Sequence, residues 1–103
     1  MTPKLAHGTP VQATNTHATA PTATITGVSG LKTYITTVSC SSDKAGSILL
    51  IKDGSTVIWQ EQVGAAFCNL RFDPPLFCTV GADAVATIDS TSAGKANISG
   101  IQL

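Results

Sequence analysis

Two histidines, six acids and three cysteines are the groups in this 103-residue chain that could carry acid–base, metal or nucleophilic chemistry. His7 and His17 both fall in the first fifth of the chain, among prolines, threonines and alanines. A general base needs a rigid, partly desolvated setting, and an extended arm does not give one. Both read as solvated or interface histidines. Asp43, Asp53 and Asp73 sit beside Ser, Lys, Gly or Pro, as turn and strand-end residues do, and Asp83, which follows Gly81, reads as another. Glu61 alternates with Trp59 and Val63, which places it at a rim or beside a lysine. No two acids have the context of a glycosidase pair. Cys40, Cys68 and Cys78 are an odd number, with no C-x-x-C spacing and no histidine nearby. They read as three reduced, half-buried small hydrophobes. A Cys68–Cys78 bridge is the alternative if their strands are neighbours.

No nucleophile elbow, phosphate loop, dinucleotide fingerprint or calcium loop is present. Gly27-Val28-Ser29-Gly30 is a turn. Asn97-Ile98-Ser99 matches a glycosylation sequon, but Met1–Gly8 lacks the apolar core of a secretory signal, so synthesis in a reducing cytoplasm is expected. The expectation is a protein that is not an enzyme and has no cofactor or metal.

Charge narrows the partners. Only 12% of residues are charged, six basic against six acidic, where ordinary proteins carry about 25%. Lys4, Lys32, Lys44, Lys52, Arg71 and Lys95 are scattered, so no basic patch for nucleic acid is expected. The longest apolar run, Ile48–Ile51, is far short of the ~20 residues of a membrane helix. The chain is 43% hydrophobic with a mean hydropathy of +0.25, which is globular material. A net charge of zero removes colloidal repulsion, a hint of a protein that lives bound to something.

The elements that would position these residues are strands. Residues 1–21 hold three prolines and, apart from alanines, only Met1, Leu5 and Val11 as apolar residues. Such a segment cannot bury enough surface to fold alone. It reads as an extended N-terminal arm whose later part, from Val11, can add as a strand to a neighbouring sheet. Residues 22–103 form the domain. Thr, Ser, Val and Ile dominate there, with turn residues every 8–12 positions. Strands are predicted over 22–26, 32–41, 47–52, 56–62, 67–73, 84–89 and 96–103, with a short apolar segment at 76–78. On 32–41, Tyr34, Thr36, Val38 and Cys40 share a face. Asp53-Gly54 supplies the positive-φ residues of a tight hairpin turn. Trp59 is expected inward as a core anchor, and most of the five aromatics are needed to fill the core. Asp73-Pro74-Pro75 stops its strand. The parity change around Gly100 marks a bulge. Seven or eight strands with no crossover helix require a two-layer antiparallel β-sandwich. A jelly roll and an immunoglobulin-like Greek key both fit the strands. Cys68 follows Trp59 too closely for the immunoglobulin Cys…Trp…Cys spacing.

The run from about Ala23 to Leu103 resembles small β-sandwich structural proteins of tailed bacteriophages. The resemblance lies in Gly30–Ser39, Ala45–Gly54, Thr56–Trp59, the Phe72–Leu76 corner, Thr79–Ala82 and Gly94–Gly100. It implies a jelly roll of the tumour-necrosis-factor-like kind, often a homotrimer, and no catalytic residues. It implies a decoration (cement) protein on the outer capsid surface of the virion, bound to the major capsid protein and to copies of itself. The arm is the expected contact, through Leu5, Val11, Thr14, Thr16 and His17. The alternative is a receptor- or glycan-binding knob, or a small tail-fibre protein, of the same kind of virion.

Overall fold

The computed structural model describes residues 8–17, 20–89 and 93–103. Among them every regular element is a strand: β1 (Thr9–His17), β2 (Thr22–Ile25), β3 (Thr33–Ser42), β4 (Ile48–Asp53), β5 (Thr56–Gln62), β6 (Phe67–Phe77), β7 (Ala84–Ile88) and β8 (Gly94–Gln102). They form two four-stranded antiparallel sheets packed face to face. Sheet A has the order β1-β8-β3-β6, and sheet B has β2-β7-β4-β5. The ladders β1·β8, β2·β7, β3·β6 and β4·β5 pair segments placed symmetrically about the β4–β5 hairpin. The chain is thus a ribbon doubled back at that hairpin. The further ladders β3·β8 and β4·β7 join its turns into sheets.

Period-two alternation explains the burial. Ile25, Ile35, Val38, Leu49, Ile51, Ile88 and Ile98 point between the sheets, with Ala23, Ala84, Ala86 and Ala96 opposite them. β-branched residues and alanines suit the pleated inner surfaces. No aromatic belongs to this buried core, contrary to the expectation that aromatics fill it. Trp59 stands opposite Ile51, on the inner face but on the edge strand β5, where it remains 40% exposed. Its ring meets Phe72 edge-on at 5.3 Å and closes the rim between the sheets. The core ends are polar and satisfied. The Ser42 and Ser47 hydroxyls meet at 2.6 Å, and Gln102 Nε2 donates to the Thr26 carbonyl at 2.9 Å.

Three local expectations change. First, Asp53 pairs with Thr56, so the hairpin loop is Gly54-Ser55, and only Gly54 there takes positive φ (+63°). That is the turn with glycine at its first central position. Second, the bulge lies at Thr36 on β3, opposite Gly100, rather than in β8. Thr33 and Ile35 therefore share the inner face with Val38 and Cys40, while Tyr34 faces outward. Gly100 leaves β8 in register, and a Cβ there would lie 1.9 Å from the Tyr34 carbonyl oxygen. Third, Asp73-Pro74-Pro75 interrupts β6 without ending it. Residues 72–75 loop out between the Arg71 and Leu76 pairings with β3, and the Asp73-Pro74 bond is cis. β6 is an edge strand, where missing donors are tolerated. The short apolar segment at 76–78 continues it.

Candidate interaction surface

The outer face of sheet A is built by residues alternating with the core. Cross-strand rows run Thr16–Lys95–Ser41–Phe67, Thr14–Asn97–Ser39–Asn69, Gln12–Ser99–Thr37–Arg71 and Pro10–Ile101–Tyr34–Phe77. Most of these side chains are short, polar and uncharged, with Lys95 and Arg71 the two charges. One row is tied together by its side chains. The Thr14 hydroxyl donates to Asn97 Oδ1, and Asn97 Nδ2 donates to Ser39 Oγ at 3.2 Å. Such a ladder holds side-chain conformations that an interface would otherwise have to freeze.

Aromatics mark both ends of the face on β6. Phe67 is 75% exposed and Phe77 59% exposed. Phe77 leans on Tyr34, with ring centroids 6.4 Å apart, and Lys32 Nζ sits 4.9 Å from the Phe77 centroid. Aromatics, phenylalanine among them, are enriched in protein–protein interfaces relative to the rest of the surface. A shallow depression of about 370 Å³ lies between β1 and the Thr36 bulge, lined by Pro10, Val11, Gln12, Thr36, Ser99 and Gly100.

The expected contact residues separate in this frame. Thr14 and Thr16 project from the outer face, and both are exposed. Val11 turns the other way, half-buried, and packs with Ala13 against the core. His17 is exposed at the end of β1. Leu5 lies outside the described residues. β1 runs along β8 of its own chain, from the Thr9–Gln102 pair to the His17–Gly94 pair. Phe67, expected among the core aromatics, was missed, although strict alternation with Cys68, Leu70 and Phe72 sets it on the outer face beside Asn69 and Arg71. The face of Phe77 was not legible, because it depends on the looped-out 72–75 segment.

The turn acids hold loops together. Asp53 Oδ2 accepts from the Thr79 backbone N–H at 3.0 Å and from its hydroxyl at 2.8 Å. Asp83 accepts from the Gly27 N–H at 2.7 Å, and Asp43 from the Ala93 N–H at 3.0 Å. Glu61 is half-buried opposite Leu49, on the rim beside Cys68.

All three cysteines are free thiols. Cys68 and Cys78 stand at opposite ends of β6, so the alternative bridge between them has no geometric basis. Cys68 is instead the direct cross-strand partner of Cys40. Burial, and after it the neighbouring Cys68, pushes the Cys40 thiol up to about 12. Burial raises Cys68 as well, with Glu61 adding to it and the hydrogen bond with Cys40 opposing. Burial, then Asp53, pushes Cys78 up to about 11. Thiols held protonated are poor nucleophiles at neutral pH.

Among the described residues no group of three or more His, Cys, Asp or Glu side chains converges as a metal site. No helix there is long and apolar enough to cross a membrane. The chain matches no protein-family model and no curated protein.

Proposed function

We propose that this chain is a jelly-roll structural protein of a tailed-bacteriophage virion, a decoration protein that binds the outer head surface and stabilises the shell. It would be made in the host cytoplasm and assemble as a homotrimer on the major capsid protein. The observation that carries the reading is the outer face of sheet A, a charge-poor, largely polar surface with exposed aromatics at its β6 edge. Strand orders 1-8-3-6 and 2-7-4-5 support the jelly roll, since rolling up a doubled ribbon puts its strands in that order. The mechanism is passive. A rigid sandwich presents repeated neutral contacts, and a symmetric lattice multiplies weak affinities by avidity. Phe67 and Phe77 are the anchors of such a contact. The arm enters through Thr14 and Thr16 on this face and through the β1 edge that does not pair with β8, where a further strand can add.

The exposed aromatics also favour the second reading, a glycan- or receptor-binding knob, because they are not consumed by the core. Binding to shells lacking the protein, compared with binding to a glycan array, separates the two. Attachment to shells that Phe77→Ala weakens at least about tenfold supports decoration, ~1.4 kcal/mol being a modest hot spot. A glycan hit displaced by Phe77→Ala or Trp59→Ala, with no attachment to shells, supports the knob.

A further inference from the structure

We infer that Cys40 and Cys68 form a thiol pair that closes, on exposure to a low-molecular-weight disulfide, into a reversible cross-strand disulfide pinning β6 to β3. The two residues are directly opposite in the β3·β6 ladder, both on its inner face. Opposed residues in an antiparallel ladder have Cα atoms ~4.5–5.5 Å apart, inside the ~4.4–6.8 Å that a disulfide spans. Their Cβ atoms stand ~4.5–5.5 Å apart, slightly wider than the ~3.5–4.5 Å a relaxed bridge prefers. Closure therefore draws the strands slightly together. Thiol exchange at the half-exposed Cys68 sulfur reopens the bridge, since access governs that exchange.

The accessibilities set the order of events. Cys68 is half-exposed at the rim, whereas Cys40 is buried behind it. The small thiolate fraction of Cys68, which grows as pH rises, attacks one sulfur of oxidised glutathione. A mixed disulfide forms and one glutathione leaves, taking up the proton that Cys68 lost. Cys40, deprotonated to solvent base, then attacks Cys68 Sγ. The protein disulfide forms and the second glutathione leaves as a thiol. Two protein thiols are oxidised and one glutathione disulfide is reduced to two thiols. Cys78 takes no part, because it lies beyond the far end of β6, bonded through its N–H to the Thr33 carbonyl.

The bridge has a structural consequence. β6 is an edge strand whose one ladder is with β3, and residues 72–75 loop out of that ladder. Its Phe67–Arg71 half rests on five consecutive pairings. A link at 40–68 fastens that half, with exposed Phe67 next to it.

The test oxidises the folded chain with oxidised glutathione, without denaturant, and counts thiols. The expected result is a fall from three thiols per chain to one. Non-reducing peptide mapping should show Cys40 linked to Cys68 and Cys78 unmodified. The oxidised chain should melt at a higher temperature and return to three thiols with mild reductant. Cys40→Ser should leave Cys68 as a lasting glutathione adduct. Should that variant misfold, the unaltered chain alone decides through its peptide map. A lasting glutathione adduct on Cys68 of the unaltered chain, a link to Cys78, or no loss of thiol would each overturn the inference.

Discussion

Gly100 and the buried thiols carry the residue-scale consequences. Gly100 is fixed by the approach of the Tyr34 carbonyl oxygen, 1.9 Å from where a Cβ would stand. The obstacle is backbone, so it cannot rotate away. Gly100→Ala should cost about 1–3 kcal/mol, the usual range for overpacking, seen as a lower denaturant midpoint. Cys40 and Cys78 have pKa values raised from 9.0 to about 12 and about 11. Their stabilising contribution is full below the unfolded value and is lost as pH rises through the folded one. Stability should therefore fall as pH climbs above about 9, by up to ~1.4 kcal/mol per pH unit for each thiol. Cys40→Ala and Cys78→Ala should each flatten that slope in urea titrations at pH 8 to 10. An unchanged slope in both would show that other groups govern the alkaline limb.

At the scale of elements, strands 22–25 through 94–102 were legible because period-two alternation and turn residues are local signals. The inward or outward sense of Tyr34 and Phe77 was not. It depends on Thr36 and on the 72–75 loop-out, which are set by pairing between strands distant in sequence. The same limit misplaced Trp59. Its alternation was readable, but its position on an edge strand, and so its 40% exposure, follows from strand order. The face that now stands as the candidate surface was readable only in pieces, since its rows combine four strands. β1 supplies the next prediction. Val11 and Ala13 pack against the core, and β1 covers one side of β8. Deleting residues 1–17 should lower the thermal midpoint and leave the β8 edge open, so the truncated chain should also self-associate. Deletion of residues 1–7 tests the arm separately, because it leaves β1 in place. A truncation at 17 that melts like the full chain would show that β1 adds no stability.

For the whole molecule, the sandwich measures 40 × 24 × 19 Å and carries no net charge. Its broad sheet A face has two charges among sixteen positions in four rows. Attachment through such a face should depend weakly on ionic strength, since screening acts on charge pairs. Affinity for shells between low and physiological salt should change less than about threefold, an energy of ~0.7 kcal/mol. A steep loss with salt would point to a charged contact elsewhere. Location on a head surface is tested most directly by electron microscopy of particles made by the genome encoding this chain, which reports location and symmetry together. Trimeric protrusions are expected at regular positions over the head, with sheet A turned toward the trimer axis or the shell. Density confined to the tail tip, or particles without this chain, would contradict that location.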